Sequence, residues 1–139
     1  MPQLIGSKTH HHLVEAFARE SQANLRYQWF AQQADIEGRP GAAALFRSIA
    51  DSETSHALGL LEFLSDVGDP LTGEPIGDTD DNLGAALLAE TDDHDRLFPE
   101  FARTARAEGF DAIADWFETL AGAERSHARR LRDGSGDIG

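Results

Sequence analysis

Six residues stand out by type and spacing: Glu20 and Glu90, each alone, and two Glu-x-x-His pairs, Glu53 with His56 and Glu124 with His127. Residues three apart share a helix face, so each pair can aim a carboxylate and an imidazole at one spot. With 11 Glu and 6 His in 139 positions, chance supplies about half a Glu-x-x-His match. Two occur, at equivalent places in the chain. Burying four carboxylates together is very unfavourable unless cations neutralise them, because isolated buried charges cost several kcal/mol each. Two divalent ions would supply that charge, and carboxylate with imidazole but no thiolate suits iron or manganese better than structural zinc. Asp93, three after Glu90, is a further candidate ligand. Tyr27, seven after Glu20, is placed to hydrogen-bond a ligand carboxylate. The run His10, His11 and His12 is expected to take no part in the site, and His94 is expected to be exposed.

The elements that must position these residues are long helices, because Gly and Pro are rare inside four stretches and gather between them. The first helix is expected from Ser7 or Thr9 to about Glu37, and the second from about Gly41 to Val67. The third is expected from Asp81 or Asn82 to Glu108, kinked at Pro99, and the fourth from Phe110 to Arg132. Gly68 to Asp80 is the one long connection. Phe46, Ile49, Ala50, Glu53 and His56 recur 71 residues later as Phe117, Leu120, Ala121, Glu124 and His127. The chain is thus a doubled helical hairpin. Glu20 matches Glu90 at an offset of 70 instead, so the third helix carries one extra residue, which predicts a π-bulge. Glu20 lies 18 residues before Gly38 and Glu53 lies 15 after it, so at about 1.5 Å per residue they reach roughly 27 and 22 Å from the turn. The second half repeats this near-match. One Glu on each of two helices and Glu-x-x-His on the other two matches the ligand pattern described for ferritin-like di-metal bundles. The expected fold is therefore all-α, a ferritin-like four-helix bundle of two repeated hairpins joined by a long loop.

Composition narrows the function classes. The chain carries 12 Lys+Arg against 25 Asp+Glu, a formal charge of −13, and no cysteine. Without Cys there is no disulfide scaffold, thiolate zinc site, iron–sulfur cluster or cysteine nucleophile. Nucleic acid is not expected as a partner, because phosphate binding needs clustered basic residues. No apolar run approaches the roughly 20 residues that span a bilayer, and the start lacks a signal-peptide core. The expectation is one cytoplasmic domain over residues 1–133 and a flexible tail over 134–139.

The segments EAFARESQANLRYQWFA, ALFRSIADSETSHALGLLEFL, PEFARTARAEGFDAIADWFETLAGAERSHARRL and the loop GDPLTGEP resemble the rubrerythrins of the ferritin-like di-iron superfamily. The resemblance implies two iron ions held by Glu20, Glu53, Glu90, Glu124 and His127, with His56 and Asp93 exchanging on one iron; manganese or zinc could substitute. Glu53 and Glu124 would bridge, and Glu20 and Glu90 would bind terminally. It implies reduction of hydrogen peroxide to water. The chain departs from the family's pattern in three places: Asp93 stands where Glu is usual, Phe98 where Tyr is usual, and the four-cysteine rubredoxin-like domain is missing. Electrons would then come from an external donor, a rubredoxin-like protein or a reductase.

Two rival readings are a ferroxidase for iron storage, with oxygen as oxidant, and a non-catalytic helical interaction protein. The tail GSGDIG resembles the start of a peptide that targets cargo into encapsulin shells, which would place the protein inside such a compartment. Thirteen loop residues span at most about 43–47 Å, against roughly 39 Å for a helix of about 26 residues. A crossover is nearly taut, so a homodimer is expected, with domain swapping as one arrangement.

Overall fold

The computed structural model describes residues 2–134. The tail beyond Gly134 lies outside the described residues, and the cargo-peptide reading with it. All regular structure among the described residues is helical: α1 (Lys8–Ile36), α2 (Pro40–Leu64), α3 (Thr79–Asp92), a π-helical turn (Asp93–Leu97), α4 (Phe98–Ala107) and α5 (Asp111–Gly134). Among the described residues no helix is long and apolar enough to cross a membrane. The chain divides into two compact units, residues 1–70 and 71–139.

The first unit is the α1/α2 hairpin. Ser7 caps α1, its side chain accepting from the His10 backbone N–H, which satisfies one of the open donors of the first turn. α1 stops where Gly38 adopts φ +71°, the left-handed conformation that L side chains resist. The chain reverses there, with the Arg39 N–H donating to Ala34 O at 2.8 Å. Pro40 is the first residue of α2, earlier than the expected start at Gly41; a first-turn proline loses no helical hydrogen bond. α2 ends at Leu64, three residues short of Val67, and Gly68 follows at φ +121°.

The second unit repeats this plan with a modified first arm. Asp78 caps α3, accepting from Asp81 N–H at 2.8 Å, and Asp80 and Asp81 lie in the first turn, where the helix dipole favours acids. The cap sits three residues before the expected start. The expected irregularity is there: Asp93–Leu97 form a π turn, so the long third helix of the sequence reading is α3 and α4 with a bulge between them. Pro99 falls in the first turn of α4, directly after the bulge has already broken the hydrogen-bond ladder. Gly109, φ +89°, turns the chain as Gly38 does, with Phe110 N–H donating to Ala105 O at 2.8 Å.

Each hairpin is closed by small residues. The buried positions of α2 are Ala43, Ala50, Ala57 and Leu64, and those of α5 are Ala114, Ala121 and Ala128, every seventh residue in both helices. Ala31 and Ala34 meet them in the first unit, Ala85, Ala102 and Ala105 in the second. Methyl side chains let two helix backbones approach closely. They leave the larger apolar residues Phe46, Ile49, Leu60, Phe117 and Leu120 half-buried, on the helix face that carries Glu53 or Glu124.

Candidate metal centre

Each unit gathers one half of the expected ligand set. In the first, Glu20 from α1 meets Glu53 and His56 from α2; in the second, Glu90 from α3 meets Glu124 and His127 from α5. Within each trio one ligand atom per residue lies within 4.8 Å of the others. His56 Nδ1 is 3.8 Å from Glu20 Oε1 and 3.8 Å from Glu53 Oε2. His127 Nδ1 is 3.5 Å from Glu90 Oε2 and 3.9 Å from Glu124 Oε2. The near-identity follows from the repeat: the i,i+3 spacing stacks Glu over His on α2 and α5, and the hairpin turns set the opposite glutamate at the same level.

The trios are not ordinary surface clusters. Glu53 and Glu124 are each 18% exposed at the side chain. Glu90 Oε2 is buried with no hydrogen-bond partner, an arrangement that costs the full desolvation of a carboxylate oxygen unless something binds it. A metal ion placed among these atoms would remove that cost. Hard carboxylate oxygens with a borderline imidazole nitrogen are a donor set for iron or manganese, so the residues fit the group that the sequence implies.

One layer nearer the hairpin turn, each trio has an aromatic floor. Tyr27 stacks on Phe46 with ring centroids 6.1 Å apart and planes at 19°, and Phe30 meets Phe46 edge-on at 5.6 Å. The equivalent Phe98, Phe101 and Phe117 repeat it at 6.2 Å and 17°, then 5.5 Å edge-on. Tyr27, Phe46, Phe98 and Phe117 lie seven or eight residues along the helices from Glu20, Glu53, Glu90 and Glu124, about 10 Å away, and Phe30 and Phe101 lie one turn further. Tyr27 has this packing role, and its hydroxyl makes no hydrogen bond among the described residues.

The π turn holds the remaining candidate. Asp93 is half-buried in it but is not brought into the Glu90, Glu124 and His127 group. Burial, with the Asp92 carboxylate beside it, holds Asp93 above the usual carboxylate range. Asp92 is instead drawn below that range by Arg96, which grips it with Nε at 2.9 Å and Nη2 at 2.8 Å across the turn. His94 corrects the sequence reading. Its side chain is only 10% exposed, and Nδ1 sits 2.9 Å from Asp95 Oδ1 without the alignment of a hydrogen bond. The π turn rotates it inward from the surface position that a regular helix would give. His10 and His11 stack on each other at 6.0 Å at the start of α1 and join neither trio.

Composition alone gave no signal for a polar clamp between α1 and α2. Asn24 Nδ2 donates to Ala50 O at 2.7 Å and to Thr54 Oγ1 at 2.6 Å, and Gln28 donates to Asn24. It lies one turn from both Glu20 and Glu53, so it fixes the level at which those two carboxylates meet.

A family model for rubrerythrin matches residues 11–134. The chain is 41% identical over 129 residues to the rubrerythrin of Porphyromonas gingivalis, covering 90% of this chain and 64% of that protein. It is 37% identical over 137 residues to the rubrerythrin of Nitratidesulfovibrio vulgaris, covering 96% and 72%. Rubrerythrin-1 of Clostridium acetobutylicum is also 37% identical, over 138 residues, covering 94% and 71%. The chain thus spans about two thirds of the length of the curated relatives it matches.

Proposed function

The chain belongs to the rubrerythrin family, and from that premise we propose that it is a non-haem di-iron peroxidase, reducing hydrogen peroxide to water in defence against oxidative stress. The carrying observation is the repeated Glu, Glu, His trio with a buried, partnerless oxygen on Glu90. Glu20, Glu53 and His56 would hold one iron, and Glu90, Glu124 and His127 the other. When bound, the iron pair supplies the two electrons and the Lewis acidity that cleavage of the O–O bond requires.

The chain's own residues do the rest. Glu53 and Glu124, the most buried members of their trios, supply the carboxylates best shielded from water. His56 and His127 would each offer one ring nitrogen to the metal. The aromatic layers of Tyr27, Phe30 and Phe46 and of Phe98, Phe101 and Phe117 exclude water on the side of the hairpin turns, which limits loss of reactive oxygen species. Asp93, half-buried in the π turn three residues after Glu90, remains a proposed auxiliary ligand. The overall reaction takes one hydrogen peroxide, two electrons and two protons to two waters. These 139 residues hold no cysteine for a thiolate-bound iron, so the electrons come to this domain from a donor outside it.

A second reading, a ferroxidase that turns iron over, is favoured by the exposure of the His56 side chain, 59%, which leaves one ligand open to exchange. Anaerobic addition of Fe²⁺ followed by oxidant separates them. The peroxidase retains about two irons per chain and oxidises no more; continued oxidation of a large excess identifies the ferroxidase, and no binding at all identifies a helical interaction protein.

A further inference from the structure

The two hairpins share their metal trio, aromatic floor and alanine seam, so a feature that only one of them carries answers to a different demand. In the second hairpin α4 and α5 flank a groove of about 630 Å³. Small residues, Ala102, Ala121 and Gly122, form its base, and Arg103, Arg106 and Arg125 stand along its walls. On α5 the groove takes Glu118, Gly122 and Arg125, whereas Phe117, Leu120, Glu124 and His127 follow the other face of the helix. It is therefore separate from the trio.

The repeat supplies an internal comparison. Seventy-one residues earlier, Arg103, Gly122 and Arg125 are Gln32, Asp51 and Thr54. Each of these differences makes the second half one charge more positive, a change of +3 at one place in a chain of formal charge −13. Bulk is lost as well, since Gly122 replaces Asp51 and Ala107, also on the groove, replaces Ile36. The neighbouring ion pair is kept with its ends exchanged: Arg47 meets Asp35 in the first half, and Arg106 meets Glu118 at 2.9 Å and Asp115 at 3.0 Å in the second. Arg106 is thus neutralised. Arg103 and Arg125 are exposed and make no ion pair or hydrogen bond among the described residues, which leaves two free cations over an uncharged base.

Two guanidinium groups over one base suit a doubly charged oxyanion, because each planar fork donates paired hydrogen bonds to such oxygens. The volume is that of a small-molecule site, and Pro99 and the alanines offer an organic group apolar contact. We propose that the α4/α5 groove binds a small organic phosphate, a monoester whose dianionic head lies between Arg103 and Arg125 and whose apolar part covers Ala102, Ala121 and Gly122. None of the lining residues belongs to a metal trio, so the proposal stands apart from the peroxidase reading.

Phenyl phosphate is a direct probe. Titration calorimetry on the full chain, iron-loaded and metal-free alike, should show one molecule bound per chain, about tenfold more tightly than inorganic phosphate because the ring is partly buried. Affinity should fall as salt is added. Arg103→Gln and Arg125→Gln should each weaken binding about tenfold or more, through loss of a charge-assisted pair. Gly122→Asp restores the residue of the first half, and a side chain there meets open space, so the helix is kept while the carboxylate repels the ligand and binding is lost. Iron bound per chain should be unchanged in all three variants. Unaltered affinity in the arginine variants or in Gly122→Asp would overturn the proposal. So would equal affinity for inorganic phosphate, which would show a general attraction of anions, or binding only in the iron-loaded protein, which would put the anion at the metal.

Discussion

At the scale of single residues, Glu53 and Glu124 are the proposed ligands least open to water, and their removal should be the most damaging. Glu53→Ala and Glu124→Ala are each expected to lower bound iron from about two to about one per chain, measured by elemental analysis after anaerobic loading. Because carboxylates and imidazoles must lose protons to bind metal, iron affinity should fall steadily as pH is lowered, and acid should release the metal before it unfolds the helices. Asn24→Ala removes both of its bonds to α2 and leaves Ala50 O with one acceptor site unfilled. That substitution should cost about 1 kcal/mol in a denaturant titration. The six trio residues were legible in the sequence because a ligand set obeys spacing rules that a helix enforces. His94 was not, since its burial depends on a π turn that rotates a surface position inward.

At the scale of elements, the two turn glycines and the π turn set the levels at which ligands meet. Gly38 and Gly109 have open space where a side chain would go, so their constraint is the backbone's positive φ alone. Gly38→Ala or Gly109→Ala should each cost about 1–2 kcal/mol, read as a lowered melting temperature with helix content retained. The π turn absorbs one residue, so the eight-residue step from Glu90 to Phe98 behaves as the seven-residue step from Glu20 to Tyr27. Deleting Asp95 should therefore give a straight helix that still presents Glu90 to Glu124 and His127, with helix content by circular dichroism and iron stoichiometry both kept. If the extra residue turned the helix instead, the deletion would swing Glu90 off its face and abolish that site. The hairpins, the Ser7 cap and the bulge could be read from Gly, Pro, Ser and the changed offset, whereas the Asp78 cap falls three residues before the expected start of α3. The seven-residue alanine seams were harder to see, because hydrophobic patterning points to Phe46, Ile49 and Leu60 as the core. The helices instead close on methyl groups and keep the large side chains for the metal-bearing face.

At the scale of the whole molecule, the proposed function divides the formal charge of −13 between carboxylates that bound cations would neutralise and a surface that would attract Fe²⁺ and favour a basic redox partner. Iron bound only by the folded state must stabilise it, so loading should raise the melting temperature, and a chelator should reverse the change. The measurement that bears most directly on the account is stopped-flow mixing of the anaerobic, di-ferrous protein with hydrogen peroxide and, separately, with oxygen. One equivalent of peroxide should oxidise both irons, and do so faster than oxygen does. Oxidation by oxygen at equal or greater speed, or failure of peroxide to oxidise the pair, would contradict the peroxidase assignment.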